Sequence, residues 1–535
     1  MTLRTTTSGL FLVLILFVSV FASMPPVVDE ESYLFIGGII GEHLGTPYDW
    51  WRAWQPVGEI PSDDTFIYAH PPLHLWWSAI CQSLTNSIST LRIAVALPWL
   101  ALLSGAVAYL SHELSKRKGW ALSLWLSSPI VLLGCQASLM IDLPFVALSS
   151  AAVALWVRSC RTEGSSSLSF VVTGVVLGLA CITKYPALVL LPVLAIHAKN
   201  SGNLAGLVRA LVGFLFVFGG VEVWLMVQYG EPHIWVAIES AGTIDRGPVF
   251  GRGFGLLVRL GVMFSPAIIF MNRRLFATIS GAFAGVVGLA VVGLGDFGAV
   301  GITAILICCA VSGFIIYTLI TGIRQTKLKC DDTLLLACWA AAVLLSVLLG
   351  HNYAGGRYLL PAVLPLAILI SNTGVLGGTR VLWKRLAVGA WGGLGLLLAV
   401  GVDREARAIV ALAESTSEHQ TSGDLWFSGE WTFRHAMVEA GWSWLGPEGQ
   451  IQIGDLVAIP SNSGAGFLPV AELVLVERLV SAEQYPFRLI DYQSDLGYHS
   501  ELLGRLPFGF SSGEWHVVEL YRVESLFEVD HGNDQ

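Results

Sequence analysis

The chain has 535 residues, of which 54% are hydrophobic and only 13% charged, and its formal net charge is −9. Its mean hydropathy is +0.67, whereas soluble domains carry about 25% charged residues, so an ordinary soluble globular protein is excluded. The acidic balance also argues against a nucleic-acid-binding role.

A membrane-crossing helix needs about 20 mostly apolar residues. Hydropathy predicts thirteen such segments, near residues 9–23, 88–112, 120–136, 143–157, 168–183, 185–198, 208–229, 255–271, 276–294, 299–322, 333–350, 357–373 and 386–402. Of the 23 Lys and Arg in residues 1–402, sixteen fall in one alternate set of loops, among them Arg4, Lys116 to Lys118, Arg273, Arg274 and Lys384. The positive-inside rule therefore places the amino terminus in the cytoplasm and, after thirteen crossings, the carboxyl terminus outside. The first segment also fits a cleaved signal peptide, with Arg4, a short apolar run and Ala22-Ser23; cleavage would change no downstream sidedness.

In the first external loop, residues 31–44 and 71–84 have near-helical apolar periodicity and are rich in aromatic residues. They predict two amphipathic helices lying in the interface and roofing a cavity. Residues 403–535 differ from the rest, with 21 acidic against 7 basic residues, a charge of −14 against +5 for residues 1–402. Strand-like runs at 424–427, 455–459, 473–476 and 515–521, with a helical stretch near 434–440, predict a soluble external α/β domain. That charge also disfavours docking on anionic lipid. All eight cysteines lie in or near membrane segments, so no disulfide framework is expected.

With this topology the unusual polar residues collect on one membrane face. Asp29 and Glu30 follow the first span, His70 precedes the second, Asp142 joins the third and fourth, Lys184 joins the fifth and sixth, and His351 and Arg357 precede the twelfth. Each has a plainer reading. Asp29 and Glu30 can mark the water boundary, Asp142 a turn, Lys184 a snorkelling interfacial lysine, Arg357 a lipid-headgroup contact, and His70 the start of a helix that accepts Pro71 and Pro72. For Glu222 and for Asp63-Asp64, structure or solvent is the favoured reading. The convergence of the others on one side is what an active site requires.

Asp29-Glu30 after the first helix, Pro71-Pro72-Leu73 before the second, Asp142 between the third and fourth, Thr183-Lys184-Tyr185-Pro186 between the fifth and sixth, and Arg357-Tyr358-Leu359-Leu360-Pro361 near the last helices together resemble the GT-C glycosyltransferases. The likeness is to the glycosyltransferase 39, or protein O-mannosyltransferase, and aminoarabinose lipid A transferase group, over about residues 15–375. The tract Phe427-Ser428-Gly429-Glu430-Trp431 is similar to external domains appended to bacterial members. The resemblance implies an all-α polytopic bundle of GT-C type in the plasma (inner) membrane, with the α/β domain at its carboxyl end. It implies transfer of a sugar from a polyprenyl-phosphate donor to a lipid, glycan or protein hydroxyl on the external face, with inversion.

By that resemblance Asp29 is the general base, with Glu30 beside it, and Asp142 orients the acceptor or a cation. Lys184, Arg357 and His70 are the candidates for binding the donor phosphate. The chain departs from related aminoarabinose transferases in carrying Ala69-His70 where they have Glu-Lys. A neutral histidine binds phosphate less well than lysine, and the missing glutamate removes a metal ligand. No obligatory cofactor is therefore expected, with a divalent metal left open. The alternative function is a transporter or lipid flippase using Glu222, Asp142 and Lys184, although transporters place such groups near the midplane.

Overall fold

The computed structural model describes residues 2–42, 44–48, 70–162, 166–243, 249–263, 331–350, 355–372, 381–419, 423–445, 451–463, 471–483, 485–491, 496–499, 506–511 and 513–526, with four further positions between 312 and 320. The predicted spans 276–294 and 299–322, as well as His351, Asp63 and Asp64, lie wholly or almost wholly outside these residues.

Helix α1 (Leu3–Val20) is followed by α2 (Glu30–Glu42) and α3 (Leu73–Leu84), the two predicted interfacial helices. Their apolar faces meet through Tyr33, Ile36 and Ile40 on α2 and Leu75 and Ala79 on α3, against Met140 and Ile141. Next come α4 (Ile88–Leu114), α5 (Lys118–Leu126) and α6 (Pro129–Gln136). The last two replace the single span expected at 120–136 and bend by 58°. The break falls where Pro129, at the start of α6, has no N–H to continue the preceding helix and disfavours helical geometry at Ser128.

The most enclosed span, α7 (Asp142–Arg161), is followed by α8 (Ser167–Cys181), a 3₁₀ turn at Tyr185–Val189, α9 (Leu190–Asn200) and α10 (Leu204–Phe214). Then come α11 (Gly220–Tyr229), α12 (His233–Thr243), α13 (Val249–Met263), α14 (Asp331–Leu349), α15 (Leu360–Asn372) and α16 (Val381–Ser417). Among the described residues, six helical stretches are long and apolar enough to cross a membrane, or seven with the bent pair. Exposed Leu12, Leu16, Phe216, Val223 and Val227 give the bundle an apolar rim suited to lipid. The chain is a multi-pass membrane protein.

Helix α16 continues past residue 402, the predicted end of the membrane part, and carries the chain directly into the carboxyl-terminal domain. There β1 (Leu425–Phe427), α17 (Trp431–Glu439), β2 (Ser443–Trp444), β3 (Leu456–Pro460), β4 (Ala471–Val480), β5 (Phe487–Arg488), β6 (Ile490–Asp491), β7 (Leu496–Gly497), β8 (Gly509–Phe510) and β9 (Val517–Leu526) follow. Five of these strands form a mixed sheet in the order β2-β1-β3-β9-β4. The first three are parallel, and β9 pairs antiparallel with β3 and β4. Its core joins Leu412 and Ala413 of α16 to Phe433 and Met437 of α17 and to Phe427, Leu456, Val518 and Leu520 of the sheet. Burying one face of the end of α16 anchors the sheet to the bundle and sets it above α2.

Candidate active site

The turn before α2 is built around one buried carboxylate. Glu30 is fully buried and forms a two-point ion pair with Arg92 of α4, at 2.6 Å and 2.8 Å. The same carboxylate accepts the backbone N–H of Val27 at 3.0 Å and of Leu139 at 3.1 Å. Arg92 donates in turn to the carbonyls of Met24 and Pro25. Glu30, expected beside Asp29 among the catalytic carboxylates, therefore does not reach the cavity. Its lone pairs are used to tie the Asp29 turn to the loop that leads into Asp142. Val28 takes the left-handed φ of 47°, costly for a β-branched residue, and thereby turns the next residue, Asp29, away from Glu30.

Asp29 meets Arg357 at 2.6 Å, and Arg357 also donates to the Tyr358 hydroxyl at 3.1 Å. On the other side of Tyr358, Lys184 pairs with Asp142 at 2.7 Å and lies 4.8 Å from the Tyr358 ring centroid. Two ion pairs thus flank one tyrosine. Asp142 and Lys184 are nearly enclosed, at 6% and 4% side-chain exposure, and the second oxygen of Asp142 is buried with no hydrogen-bond partner. Asp29 keeps 32% of its side chain open. Partial burial pushes its pKa up, but the charge and hydrogen bond of Arg357 outweigh this and hold the carboxyl below its ordinary value.

His70 is pushed down to about 3 by burial and by the charges of Lys184 and Arg357, against the opposing pull of Asp29 and Asp142. It is therefore neutral at physiological pH. His499, from the carboxyl-terminal domain, is held near 3 by the same causes, burial first and Arg357 second, and it too feels both aspartates. Asp29, Asp142, Lys184, Arg357 and His70 are thus brought into one electrostatic neighbourhood.

Backbone links hold these segments in register. Leu73 donates to the carbonyl of Ile182 at 3.1 Å, joining the His70 turn to the Lys184 turn. His74 Nε2 meets the carbonyl of Leu139 at 2.7 Å, and because a carbonyl only accepts, that nitrogen carries the proton. Glycines at 355 and 356 let the carboxyl-terminal domain approach: a Cβ on Gly355 would lie 2.1 Å from the carbonyl oxygen of His499. Gly356 donates its N–H to Tyr498 at 2.8 Å, and Arg259 of α13 donates to the carbonyl of Gly497.

Glu222 takes the structural role. It accepts from Tyr185 Oη at 2.7 Å and from the N–H of Ile234 at 3.1 Å, bracing the chain just after Lys184. No group of three or more His, Cys, Asp or Glu among the described residues is arranged to hold a metal.

A cavity partly open to solvent is lined by Asp142, Arg357, Glu430, Trp431 and His499. A smaller pocket is lined by Asp142, Phe145, Lys184, Ser346 and Tyr358. Asp142 borders both. Arg92, Glu430 and His499 were not among the site residues expected from sequence. A charge inside an apolar helix marked Arg92, and Glu430 lies in the tract already noted, but nothing local marked His499.

Residues 69–224 match the family model described as dolichyl-phosphate-mannose-protein mannosyltransferase. Over that segment, under a third of the chain, the protein is similar to this mannosyltransferase family. The matched segment contains His70, Asp142 and Lys184. A comparison with curated proteins yields no match. Among solved structures, ArnT from Cupriavidus metallidurans bound to undecaprenyl phosphate is 15% identical, with 85% of this chain and 92% of that chain covered and a TM-score of 0.43. The archaeal oligosaccharyltransferase AglB from Archaeoglobus fulgidus, in complex with an inhibitory peptide and a dolichol-phosphate, is 14% identical, with 80% and 63% covered and a TM-score of 0.43. At that level of likeness neither fixes a residue's role in this chain.

Proposed function

We propose that this protein is a glycosyltransferase that moves a sugar from a polyprenyl-phosphate donor to an acceptor hydroxyl on the extracytoplasmic face of the plasma (inner) membrane, with inversion at the anomeric carbon. The observation that carries this reading is the double ion pair Asp29–Arg357 and Asp142–Lys184, in which Asp142 borders both cavities, Arg357 the larger and Lys184 the smaller. Asp29, ionised and open on one side, accepts the proton of the acceptor hydroxyl. The hydroxyl oxygen attacks the anomeric carbon, the bond from that carbon to the phosphate oxygen breaks, and its electrons stay on the departing phosphate. Lys184 and Arg357 stabilise the charge gained there. Two cations supply this stabilisation from side chains, so the reading requires no metal. Asp142 orients the acceptor from the wall it shares with the second pocket.

General-base assistance contributes roughly 10²–10⁴-fold, and the remainder comes from holding the two substrates in line. The test is transfer by the purified protein in lipid nanodiscs supplied with a labelled polyprenyl-phosphate sugar. Asp29→Asn should lower turnover by about 10²-fold or more while the protein still elutes as a folded species. Full activity in that variant removes Asp29 as the base. The transporter reading loses its main support because Glu222 is engaged with Tyr185 and the Ile234 backbone.

A further inference from the structure

The wall of the larger cavity opposite Asp142 and Arg357 belongs to the external domain, and its most unusual member is Trp431. Among the described residues, Val28 and Trp431 are the non-glycine positions with positive φ, and Trp431 stands at 62°. A tryptophan held in that conformation needs its neighbours to enforce it, and they do. The adjoining residue Glu430 is bracketed by Ser463, whose Oγ accepts the Glu430 N–H at 2.8 Å and donates to its carbonyl at 2.6 Å. The result is an aromatic side chain, half-buried, lining a partly open cavity together with Arg357, the ion-pair partner of the proposed base.

The polar company of Trp431 is of a particular kind. Glu430 pairs with Arg434 at 3.2 Å through one oxygen and remains 25% exposed. His499 lines the same cavity, and its Nδ1 is buried with no hydrogen-bond partner. A second carboxylate, Glu405, lies on the same wall. An aromatic face with a few convergent hydrogen-bonding groups matches a pyranose, which offers C–H groups on one face and hydroxyls at its edge. With Asp142, Glu405 and Glu430 set against Arg357, the cavity lining is formally negative, which disfavours a phosphorylated acceptor.

Resting on the transferase reading above, we propose that the external domain supplies an acceptor subsite for a neutral saccharide, with Trp431 as its stacking face and Glu430 and His499 as hydroxyl partners. This deepens the proposed function by assigning the acceptor class.

The experiment uses the full chain in nanodiscs and two probes, undecaprenyl phosphate and neutral mannotriose. Saturation-transfer NMR should show mannotriose bound by the parent protein. Trp431→Ala should weaken that binding by about tenfold, Trp431→Phe should keep it within about threefold, and Glu430→Gln should fall between. Rescue by the phenyl ring separates a stacking role from a merely structural one, and the unfolding temperature of each variant is measured alongside. Mannotriose that fails to bind while undecaprenyl phosphate binds normally overturns the subsite and leaves the donor reading standing. Binding equal in the parent and Trp431→Ala, or a hydroxyl-bearing peptide turned over in preference to mannotriose, also overturns it. Loss of undecaprenyl phosphate binding alone, with mannotriose still bound, strikes the donor reading and supports the saccharide site.

Discussion

Arg92→Met is the substitution that most directly tests how the site is held. It removes both bonds to Glu30, at 2.6 Å and 2.8 Å, and leaves that carboxylate fully buried without its counter-ion. Removing one partner of a buried pair costs about 3–5 kcal/mol, because the desolvated charge left behind finds nothing to replace its partner. The carbonyls of Met24 and Pro25 lose a donor as well. Glu30→Gln in the same background should restore part of the loss, since it removes the charge yet keeps an oxygen to accept from Val27 or Leu139. Thermal unfolding in detergent should rank the parent highest, the double variant next and Arg92→Met lowest. Turnover should fall further than donor affinity, because Glu30 ties together the turns bearing Asp29 and Asp142. If Arg92→Met unfolds with the parent, the pair does not hold the site and Glu30 must be given another role.

Other outcomes follow from the remaining charges. Lys184→Ala and Arg357→Ala should each weaken undecaprenyl phosphate binding by about tenfold or more, since charge-assisted bonds to phosphate are the strong ones; unchanged affinity in both denies them the phosphate. Glu31, on α2 near Arg434 at 3.9 Å, is raised from 4.5 to about 7, chiefly by burial and also by Glu430 and Asp29, with Arg434 opposing. For an acid whose folded pKa is raised, the stabilisation is complete below pH 4.5 and is lost as pH rises through about 7. Glu31→Gln should therefore flatten the stability profile across that window and make the protein more stable than the parent at pH 8, by up to about 3 kcal/mol. An unchanged pH profile in unfolding experiments would show that Glu31 is not the titrating group.

That the polar residues gather in one place was legible because charge bias and hydropathy act through composition alone. Asp29, Asp142, Lys184 and Arg357 could be assigned to one face without knowing how they pair. Their partners could not be read, since an ion pair between positions 29 and 357 depends on the packing of every helix between them. Asp29 and Glu30 were indistinguishable as adjacent acids. What separates them is the backbone turn at Val28 and the arginine sixty-two positions on. The bend between α5 and α6 had a local signal in Pro129 that average hydropathy hid. The end of α16 was obscured for a related reason: Asp403, Arg404 and Glu405 look like a loop, but the stretch keeps its helix because Leu412 and Ala413 bury one face beneath the sheet. His499 had no signal, because its place is set by Gly355 and by Tyr498, whose carbonyl accepts from Gly356.

The site is electrically balanced, and this bears on the order of events. Asp29 is offset by Arg357 and Asp142 by Lys184, while His70 and His499 are kept neutral. A donor phosphate brings negative charge and competes with the carboxylates for the same two cations. As Arg357 turns toward phosphate, Asp29 loses the interaction that holds its carboxyl low, and burial, the largest influence on it, is then opposed less. Its proton affinity rises, which makes it a stronger base when the donor is in place and a weak one when it is not. On the proposed mechanism this couples donor binding to activation of the acceptor hydroxyl. The acidic limb of the turnover profile in donor-saturated protein should then lie at higher pH than the titration of Asp29 in the free protein. Coincidence of the two would mean that Arg357 stays on Asp29 throughout and that Lys184 alone meets the phosphate.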